Sequence, residues 1–296
     1  MPKHKGTDKL QADLKAKISK LKSQVESGPA KHGAHRADAH SHIVREGAAQ
    51  VILIGPPNTG KSSLLASLTH ARPLIGDYPF TTQEPLAGMT EFETVHFQLI
   101  DTPPISAEHM EPYLPNLVRA ADLVVFVLDL AAGGLQKQFM TVAARLEEKH
   151  IIICPRASPD AHDPRMLCKK TLVAAHKYLD AGGEQAVAQA RALYPGFNFV
   201  PTSISDLASL ERFKAAIFTS LDIIRVYTKR IGHDPEYKDP IILPVGGTVE
   251  QAALSIHKDF AHKLQFAKVW GAGKFEGQRV KNSFVLSDKD VIEFHI

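Results

Sequence analysis

The residues with the clearest chemistry lie between Gly55 and Ser63, directly after the apolar run Val51–Ile54. This segment reads Gly55-Pro56-Pro57-Asn58-Thr59-Gly60-Lys61-Ser62-Ser63, and a helix-like stretch follows it. A buried strand, a glycine-bounded loop of this length, Lys-Ser and then a helix are typical of a phosphate-binding P-loop. Glycines let the backbone N–H groups converge on a phosphate, and the helix N-terminus adds the positive end of its dipole.

Two residues of this loop have separate predicted roles. Lys61 is expected to reach the β- and γ-phosphates of a nucleotide, and Ser62 to place its hydroxyl on Mg²⁺, a cation that prefers oxygen ligands. The alternative is a glycine-rich turn with a chance Lys-Ser pair. That alternative explains neither the loop length nor the flanking strand and helix.

Two later segments supply further parts of a metal-nucleotide site. The polar, proline-bounded stretch 78–85 is predicted to be a loop in which Thr82 completes the Mg²⁺ shell and senses a γ-phosphate. The apolar run 97–100 ends at Asp101, which is the placement of a Walker-B carboxylate that holds Mg²⁺. An Asp at a strand end also caps turns, so it is the order of the three pieces that favours a nucleotide site.

Regular elements must position these residues. From Gln50 to about Ser220 apolar strands alternate with helical segments, which predicts an α/β domain with a doubly wound, mostly parallel sheet. The candidate strands are Val51–Ile54, Val95–Ile100, Leu123–Leu128, Ile151–Cys154 and Asn198–Pro201. Residues 164–193 are expected to form one or two helices. Ligands of such sheets lie beyond the carboxyl ends of the strands, where the P-loop follows the first strand.

Both ends of the chain differ from this central region. A narrow apolar stripe predicts an amphipathic N-terminal helix over 7–27. Residues 1–47 carry ten Lys/Arg, five Asp/Glu and five His, so this arm is either a solvated basic segment or one that lies on RNA. Near the C-terminus, short strands and a helix capped by Thr248 predict a small β-grasp domain.

The chain is therefore divided into an arm (1–47), an α/β domain (48–224), a linker (225–240) and a β-grasp domain (241–296). No apolar run approaches the roughly 18 residues of a membrane helix, and the N-terminus lacks the apolar core of a signal peptide, which favours a cytoplasmic protein. The net charge of +3 is too small to indicate a DNA partner. Cys154 and Cys168 form neither a disulfide framework nor a metal-binding pattern.

The chain resembles the Obg/DRG group of translation-factor-class GTPases in the segments 55–62, 77–82 and 101–103. Its C-terminal domain resembles a TGS domain, particularly in 248–250, 256–260 and 277–280. The resemblance implies a G domain that binds GTP or GDP with Mg²⁺ and has switch loops near Thr82 and after Asp101. It further implies that Asn58 helps to bind K⁺, and that the TGS domain contacts a ribosome, rRNA, other RNA or a protein.

The chain departs from the family at the second switch loop. Pro104 stands where the family has a Gly whose backbone N–H bonds the γ-phosphate, and proline has no N–H. Ile105 falls where Ras-like proteins place a water-orienting Gln, so another group must position the attacking water. The inserted subdomain of the DRG branch is also missing, because only about fifty residues separate Asp101 from Cys154.

The family selects guanine with Asn-Lys-x-Asp just after the fifth strand. After Ile151–Cys154 this chain has Pro155-Arg156-Ala157-Ser158-Pro159-Asp160 instead. Arg156 is a candidate for the Lys, and Asp160 or Asp163 for the Asp, although the register fits neither. Ser203 lies where the family's Ser-Ala loop backs the base.

Three functions are compatible with these residues. The leading hypothesis is a slow, Mg²⁺-dependent GTPase that couples its nucleotide state to a ribosome or RNA contact, with Lys61, Thr82 and Asn58 in catalysis. A second is a catalytically degenerate nucleotide-binding interaction module, which Pro104 and the missing Asn-Lys-x-Asp favour and the P-loop opposes. A third is an ATPase with relaxed base selection.

Overall fold

The structure is a computed structural model that describes residues 43–69, 71, 84–156, 163–271 and 275–296. The predicted helix over 7–27, the loop that contains Thr82 and the candidate Asp160 lie outside the described residues. Within the described ranges, none of the helices combines the length and the hydropathy needed to cross a membrane.

The larger sheet has seven strands in the order β2-β3-β1-β4-β6-β5, with β7 beside β6. They are β1 (Gln50–Ile54), β2 (Leu86–Phe92), β3 (Val95–Asp101), β4 (Leu123–Asp129), β5 (Ile151–Cys154), β6 (Leu167–His176) and β7 (Asn198–Thr202). Every pairing is parallel except that of β2 with β3. β1 and β4 are buried along their whole length, as expected for strands covered on both faces.

Five helices flank this sheet. They are α1 (Lys61–Leu68), α2 (Leu114–Ala120), α3 (Leu135–Glu147), α4 (Glu184–Leu193) and α5 (Leu207–Ser220). α1 and α5 pack on one face through Leu64 and Phe213. α2, α3 and α4 pack on the other face, with Phe139 and Val187 in a separate core. The predicted doubly wound α/β fold is confirmed, and the P-loop follows a central strand.

The smaller sheet has five strands in the order β11-β10-β12-β8-β9. They are β8 (Ile223–Thr228), β9 (Glu236–Pro244), β10 (Phe266–Trp270), β11 (Gln278–Val280) and β12 (Asp290–His295). α6 (Val249–Ile256) and α7 (Lys258–Lys263) contribute to the core on one face. Thr248 begins α6 with a capping box that it forms with Gln251. The predicted small β-grasp domain is confirmed.

Two predicted segments have a different structure. Residues 167–176 form β6 rather than a helix, and within 164–193 only α4 is helical. β6 lies between β4 and β7, so its Leu172-Val173-Ala174-Ala175 run is apolar on both sides and lacks the alternation that distinguishes a strand from a helix. The predicted linker over 225–240 is instead occupied by most of β8 and the start of β9, which belong to the smaller sheet.

The structure also corrects the expectation for the two cysteines. Cys154 and Cys168 are joined by a disulfide, with Cα atoms 5.8 Å apart. β5 runs parallel to the first half of β6, and this pairing places Ile152 directly opposite Cys168. The two thiols meet because of a strand pairing that the helical prediction for 164–193 excluded.

The two sheets meet at β8. Arg225 is only 3% exposed; its Nε donates to Asp288 Oδ1 (3.0 Å) and its guanidinium also pairs with Glu93, in the turn between β2 and β3. Beside it, the hydroxyls of Thr94 and Tyr227 are 2.9 Å apart. The smaller domain is thus docked on the β2–β3 turn by a buried cation and a hydroxyl pair.

Candidate nucleotide-binding site

The P-loop connects β1 to α1 through backbone conformations that require glycine. Gly60 has φ +90°, and a Cβ there would lie 2.6 Å from Cδ2 of His176. A Cβ on Gly55 would lie 2.5 Å from the carbonyl oxygen of Val127. Because α1 begins at Lys61, the N–H groups of its first turn point out of the helix toward the P-loop, the arrangement that binds anions at helix N-termini.

Lys61 is buried inside this loop, with 6% of its surface exposed. Its Nζ donates to the carbonyl oxygens of Gly55 (3.1 Å) and Pro56 (2.8 Å). Burial lowers the pKa of Lys61 to about 8, an effect that the nearby Asp101 opposes. Anionic phosphate oxygens form stronger hydrogen bonds with an ammonium than neutral carbonyls do, so a triphosphate is the better partner for this cation.

Ser62 and Asp101 lie together beside the P-loop. The Ser62 hydroxyl donates to Asp101 Oδ2 at 2.5 Å, and Asp101 is fully buried. Burial raises the pKa of Asp101, although the Ser62 hydrogen bond and Lys61 act in the opposite direction. The other carboxylate oxygen, Oδ1, makes no hydrogen bond with any described residue. A buried carboxylate oxygen without a partner, next to a hydroxyl, fits the oxygen ligands that Mg²⁺ prefers.

The second switch segment is docked directly on the P-loop. The Ile105 N–H donates to the carbonyl oxygen of Gly55 at 3.1 Å, and the Thr102 hydroxyl donates to the carbonyl oxygen of Leu53 at 2.7 Å. Pro104 is buried between them. The Ile105 side chain is fully buried and apolar, so it has no group that could orient a water molecule.

The segment that lies beside the P-loop differs from the base-recognition segment that the sequence suggested. The strand beside β4 is β6, not β5, and β6 is followed by His176-Lys177-Tyr178-Leu179-Asp180. This segment resembles Asn-Lys-x-Asp, with His in place of Asn and the Asp one position late. β5 ends opposite Lys170, six residues or about 20 Å before the carboxyl end of β6. Arg156 follows β5 and Asp163 precedes β6, so both lie away from the carboxyl end of β6.

Lys177 ties this segment to the P-loop. Its Nζ donates to Asp129 Oδ2 at 2.5 Å and to the carbonyl oxygen of Asn58 at 3.2 Å. His176 is 2% exposed, with Nδ1 3.1 Å from the Thr202 hydroxyl. Burial, and then the charge of Lys177, lowers the pKa of His176 to about 4, so the imidazole is neutral at pH 7.

The structure brings most of the predicted site residues to one edge of the sheet. Ser203 follows β7 directly beside the end of β6, and its N–H donates to the Ser209 hydroxyl at 3.0 Å. Pro56, Pro57, Asn58 and Thr59 line one side of a cavity of about 520 Å³. Ser63 lies in the first turn of α1. The sequence did not lead to a prediction of His176, Lys177 and Asp129 as site residues. An apolar run that is followed by His-Lys and an Asp was nevertheless a usable signal.

Comparison with known proteins agrees with this geometry. Residues 50–156 match the model of the 50S ribosome-binding GTPase family, and residues 224–296 match that of the TGS domain. An uncharacterized GTP-binding protein of Methanocaldococcus jannaschii is 26% identical, over 98% of this chain and 88% of that protein. Developmentally-regulated GTP-binding protein 2 of Homo sapiens is 25% identical, over 98% of this chain and 94% of that protein.

A solved structure extends the similarity to the fold. The GTP binding protein from Pyrococcus horikoshii OT3 superimposes with a TM-score of 0.52 at 13% identity, over 83% of this chain and 99% of that one. The alignment to the human relative runs over 344 positions, more than the 296 residues of this chain. The relative therefore has residues for which this chain has no counterpart.

Proposed function

We propose that this chain, which belongs to the Obg/DRG-type GTPases with a C-terminal TGS domain, is a Mg²⁺-dependent GTPase of low intrinsic rate. Its nucleotide state is coupled to a ribosome or RNA contact. The observation that carries the proposal is the buried Asp101 carboxylate, which holds the Ser62 hydroxyl with one oxygen and has its other oxygen unpaired among the described residues. Both groups lie where the metal of a P-loop nucleotide site belongs.

The chain's own residues do electrostatic and positional work in this proposal. Lys61 exchanges its two carbonyl partners for phosphate oxygens and neutralises charge that develops during transfer. Ser62, Asp101 and the predicted ligand Thr82 would hold the metal, which when bound would neutralise charge on the β- and γ-phosphates. The low rate follows from Pro104, which has no N–H for the γ-phosphate, and from the apolar Ile105.

Base selection is a second property in which this chain departs from the family pattern. Leu179 occupies the place of the guanine-reading Asp of Asn-Lys-x-Asp and is 49% exposed. Asp180 is the next residue, and the Asp180 N–H donates to the carbonyl oxygen of Lys177, which closes a tight turn. The apolar Leu179 at the position of the guanine-reading Asp favours the second candidate, a nucleotidase with relaxed base selection. If Asp180 reads the guanine edge, Asp180→Asn should selectively weaken binding of GTP relative to ATP.

One titration tests these alternatives together. Purified protein is titrated with GTP, ATP and GDP by calorimetry, and phosphate release is followed with each triphosphate. GTP affinity at least tenfold above that for ATP, with measurable release, supports the proposal. Equal affinities support the relaxed-specificity nucleotidase. Tight binding without release in any salt supports the degenerate binding module.

The proposed monovalent-cation site has its own test. The Asn58 side chain is exposed at the P-loop and its backbone is in the left-handed region, with φ +60°. If Asn58 helps to hold K⁺, phosphate release should be faster in K⁺ than in Na⁺ at constant ionic strength, and Asn58→Ala should remove that difference. Equal wild-type rates in the two salts would exclude the cation from the reaction.

A further inference from the structure

We infer that the face of the smaller sheet opposite α6 and α7 binds single-stranded RNA, through a stacking platform formed by Arg279, Phe266 and His295. The inference rests on the RNA contact proposed above and names its site. It is carried by four observations: the register of the strands, a stack of flat side chains, a cavity beside the stack, and the charge of the surrounding residues.

Strand register places the relevant side chains on one face. Lys268 of β10 is directly opposite Arg279 of β11 and Glu293 of β12. Phe266 is opposite His295 in the same way. Directly paired residues share a face, and side chains alternate along a strand, so Phe266, Lys268 and Trp270 all lie on this face. The intervening Ala267 and Val269 lie in the core beneath α6.

Three flat side chains form a stack on this face. The Arg279 guanidinium carbon is 3.8 Å from the centre of the Phe266 ring. The Phe266 and His295 rings are 4.3 Å apart and nearly parallel, at 10°. Arg279 is exposed, so its guanidinium plane is the outer layer. Aromatic rings and guanidinium planes are the surfaces on which unpaired RNA bases stack.

A cavity of about 750 Å³ adjoins the stack, with Phe266, Arg279, Lys281 and Asn282 in its wall. The Asn282 amide donates from Nδ2 to the carbonyl oxygen of Leu264 at 3.3 Å. Its Oδ1 is buried and accepts no hydrogen bond from the described residues. The cavity therefore provides a recess at the edge of the stack, lined on one side by the Phe266 ring and the Arg279 guanidinium.

The charged side chains on this face are mostly cationic, whereas Glu250 of α6 adds one carboxylate to the cavity wall. Glu293 is 4% exposed and is already surrounded by Lys229 (3.6 Å), Lys268 (3.7 Å) and His295 (2.8 Å). Arg279 and Lys281 are exposed. An acidic peptide would match these cations, but it has no planar bases for the stack. The flat stack and the surrounding cations together therefore favour RNA over a protein as the ligand of this face.

The test measures RNA binding directly on the full chain. The probe is a fluorescein-labelled single-stranded RNA of roughly ten mixed nucleotides, followed by anisotropy. Trp270 is the chain's one tryptophan and lies on the same face, so quenching of its fluorescence reports RNA binding at this face. We expect Arg279→Ala to weaken the affinity at least about tenfold, the loss of roughly one stacking contact.

Two further variants separate stacking from charge. Arg279→Lys keeps the charge but loses the planar guanidinium, so it should lose most of the RNA affinity that Arg279→Ala loses. Lys258→Ala removes an exposed cation from α7, on the other side of the domain, and should change the affinity less than about twofold. Duplex RNA that competes as well as the single strand would overturn the stacking proposal.

The remaining outcomes distinguish this inference from the function on which it rests. RNA binding by the wild type that Arg279→Ala leaves unchanged would overturn the platform but not the RNA contact. No RNA binding by a preparation that binds GTP would overturn both the platform and the RNA part of the proposed function. A poly-glutamate peptide that displaces the RNA and quenches Trp270 more strongly would overturn RNA in favour of a protein partner.

Discussion

Replacing Lys61 by methionine should relieve a destabilising charge while it removes nucleotide binding. Lys61 is buried and its pKa is lowered from 10.5 to about 8 by desolvation. Folding therefore disfavours its charged form. The two carbonyl oxygens that accept from Lys61 Nζ would each keep another donor in the variant. Gly55 O also accepts from the Ile105 N–H, and Pro56 O also accepts from the Thr59 hydroxyl, each at 3.1 Å. We expect Lys61→Met to be no less stable than the wild type at pH 7.

The magnitude follows from proton linkage. A lysine with a folded pKa of about 8 and an unfolded pKa of 10.5 costs about 3 kcal/mol when charged in both states. The cost is fully present below the folded pKa and is relieved as the pH rises from about 8 to 10.5, because the unfolded chain then binds more protons. Between about pH 7.5 and about pH 9.5 the wild type should gain about 2 kcal/mol relative to Lys61→Met.

Urea unfolding across this pH range provides the assay, with Lys149→Met as the matched control. Lys149 is an exposed lysine in the turn between α3 and β5 and is not among the residues that line the cavity beside the P-loop. The control variant should follow the wild-type pH dependence. In calorimetry, Lys61→Met should lose triphosphate affinity by much more than tenfold, whereas the control should bind normally. The reasoning is refuted if the wild type and Lys61→Met show the same pH dependence of the free energy of unfolding.

Three further perturbations have defined outcomes. Asp101→Asn should weaken binding of GTP with Mg²⁺, as measured by calorimetry. Because burial raises the folded pKa of Asp101, the free energy of unfolding of the wild type should rise as the pH falls through that pKa, and the variant should not show this rise. Pro104→Gly should increase the difference in binding free energy between a non-hydrolysable GTP analogue and GDP by about 1.5–3 kcal/mol. An unchanged difference would mean that another group senses the γ-phosphate. Arg225→Ala should lower the free energy of unfolding by about 3 kcal/mol because Asp288 loses its buried partner, whereas removal of the exposed Lys289 should cost less than about 1 kcal/mol.

The parts of the site that are contiguous in sequence were predictable. The P-loop is one uninterrupted segment, and its glycines, Lys61 and Ser62 have roles that local backbone geometry fixes. Asp101 was predictable because it ends a strongly apolar strand beside the first one. In each of these cases the chemistry depends on a residue and its neighbours in the sequence. A single sequence contains all the information needed to identify them.

The segment from His176 to Asp180 was missed because its place depends on which strand lies beside β4. Ile151–Cys154 is the more obvious apolar run, but it pairs only with the first half of β6. β6 begins with Leu167-Cys168-Lys169-Lys170 and continues into alanines, which have a high helix propensity. Strand order is a tertiary property, so the local run that precedes His176 and Lys177 did not show that its strand lies beside β4, and the disulfide between Cys154 and Cys168 could not be read from local pattern.

The junction between the two domains has a consequence for how the nucleotide site and the smaller sheet are connected. β2 begins directly after the predicted switch loop and ends at the turn that contains Glu93 and Thr94. Glu93 pairs with Arg225, and Thr94 contacts Tyr227, both on β8 of the smaller sheet. β8 pairs in turn with β12, which carries Glu293 and His295. A strand that is hydrogen-bonded along its whole length transmits displacement better than a flexible linker does. If nucleotide state and RNA affinity are coupled, β2, Arg225 and β8 provide a contiguous connection between the two regions. Arg225→Ala should then reduce the difference in RNA affinity, measured by anisotropy, between protein with a non-hydrolysable GTP analogue and protein with GDP.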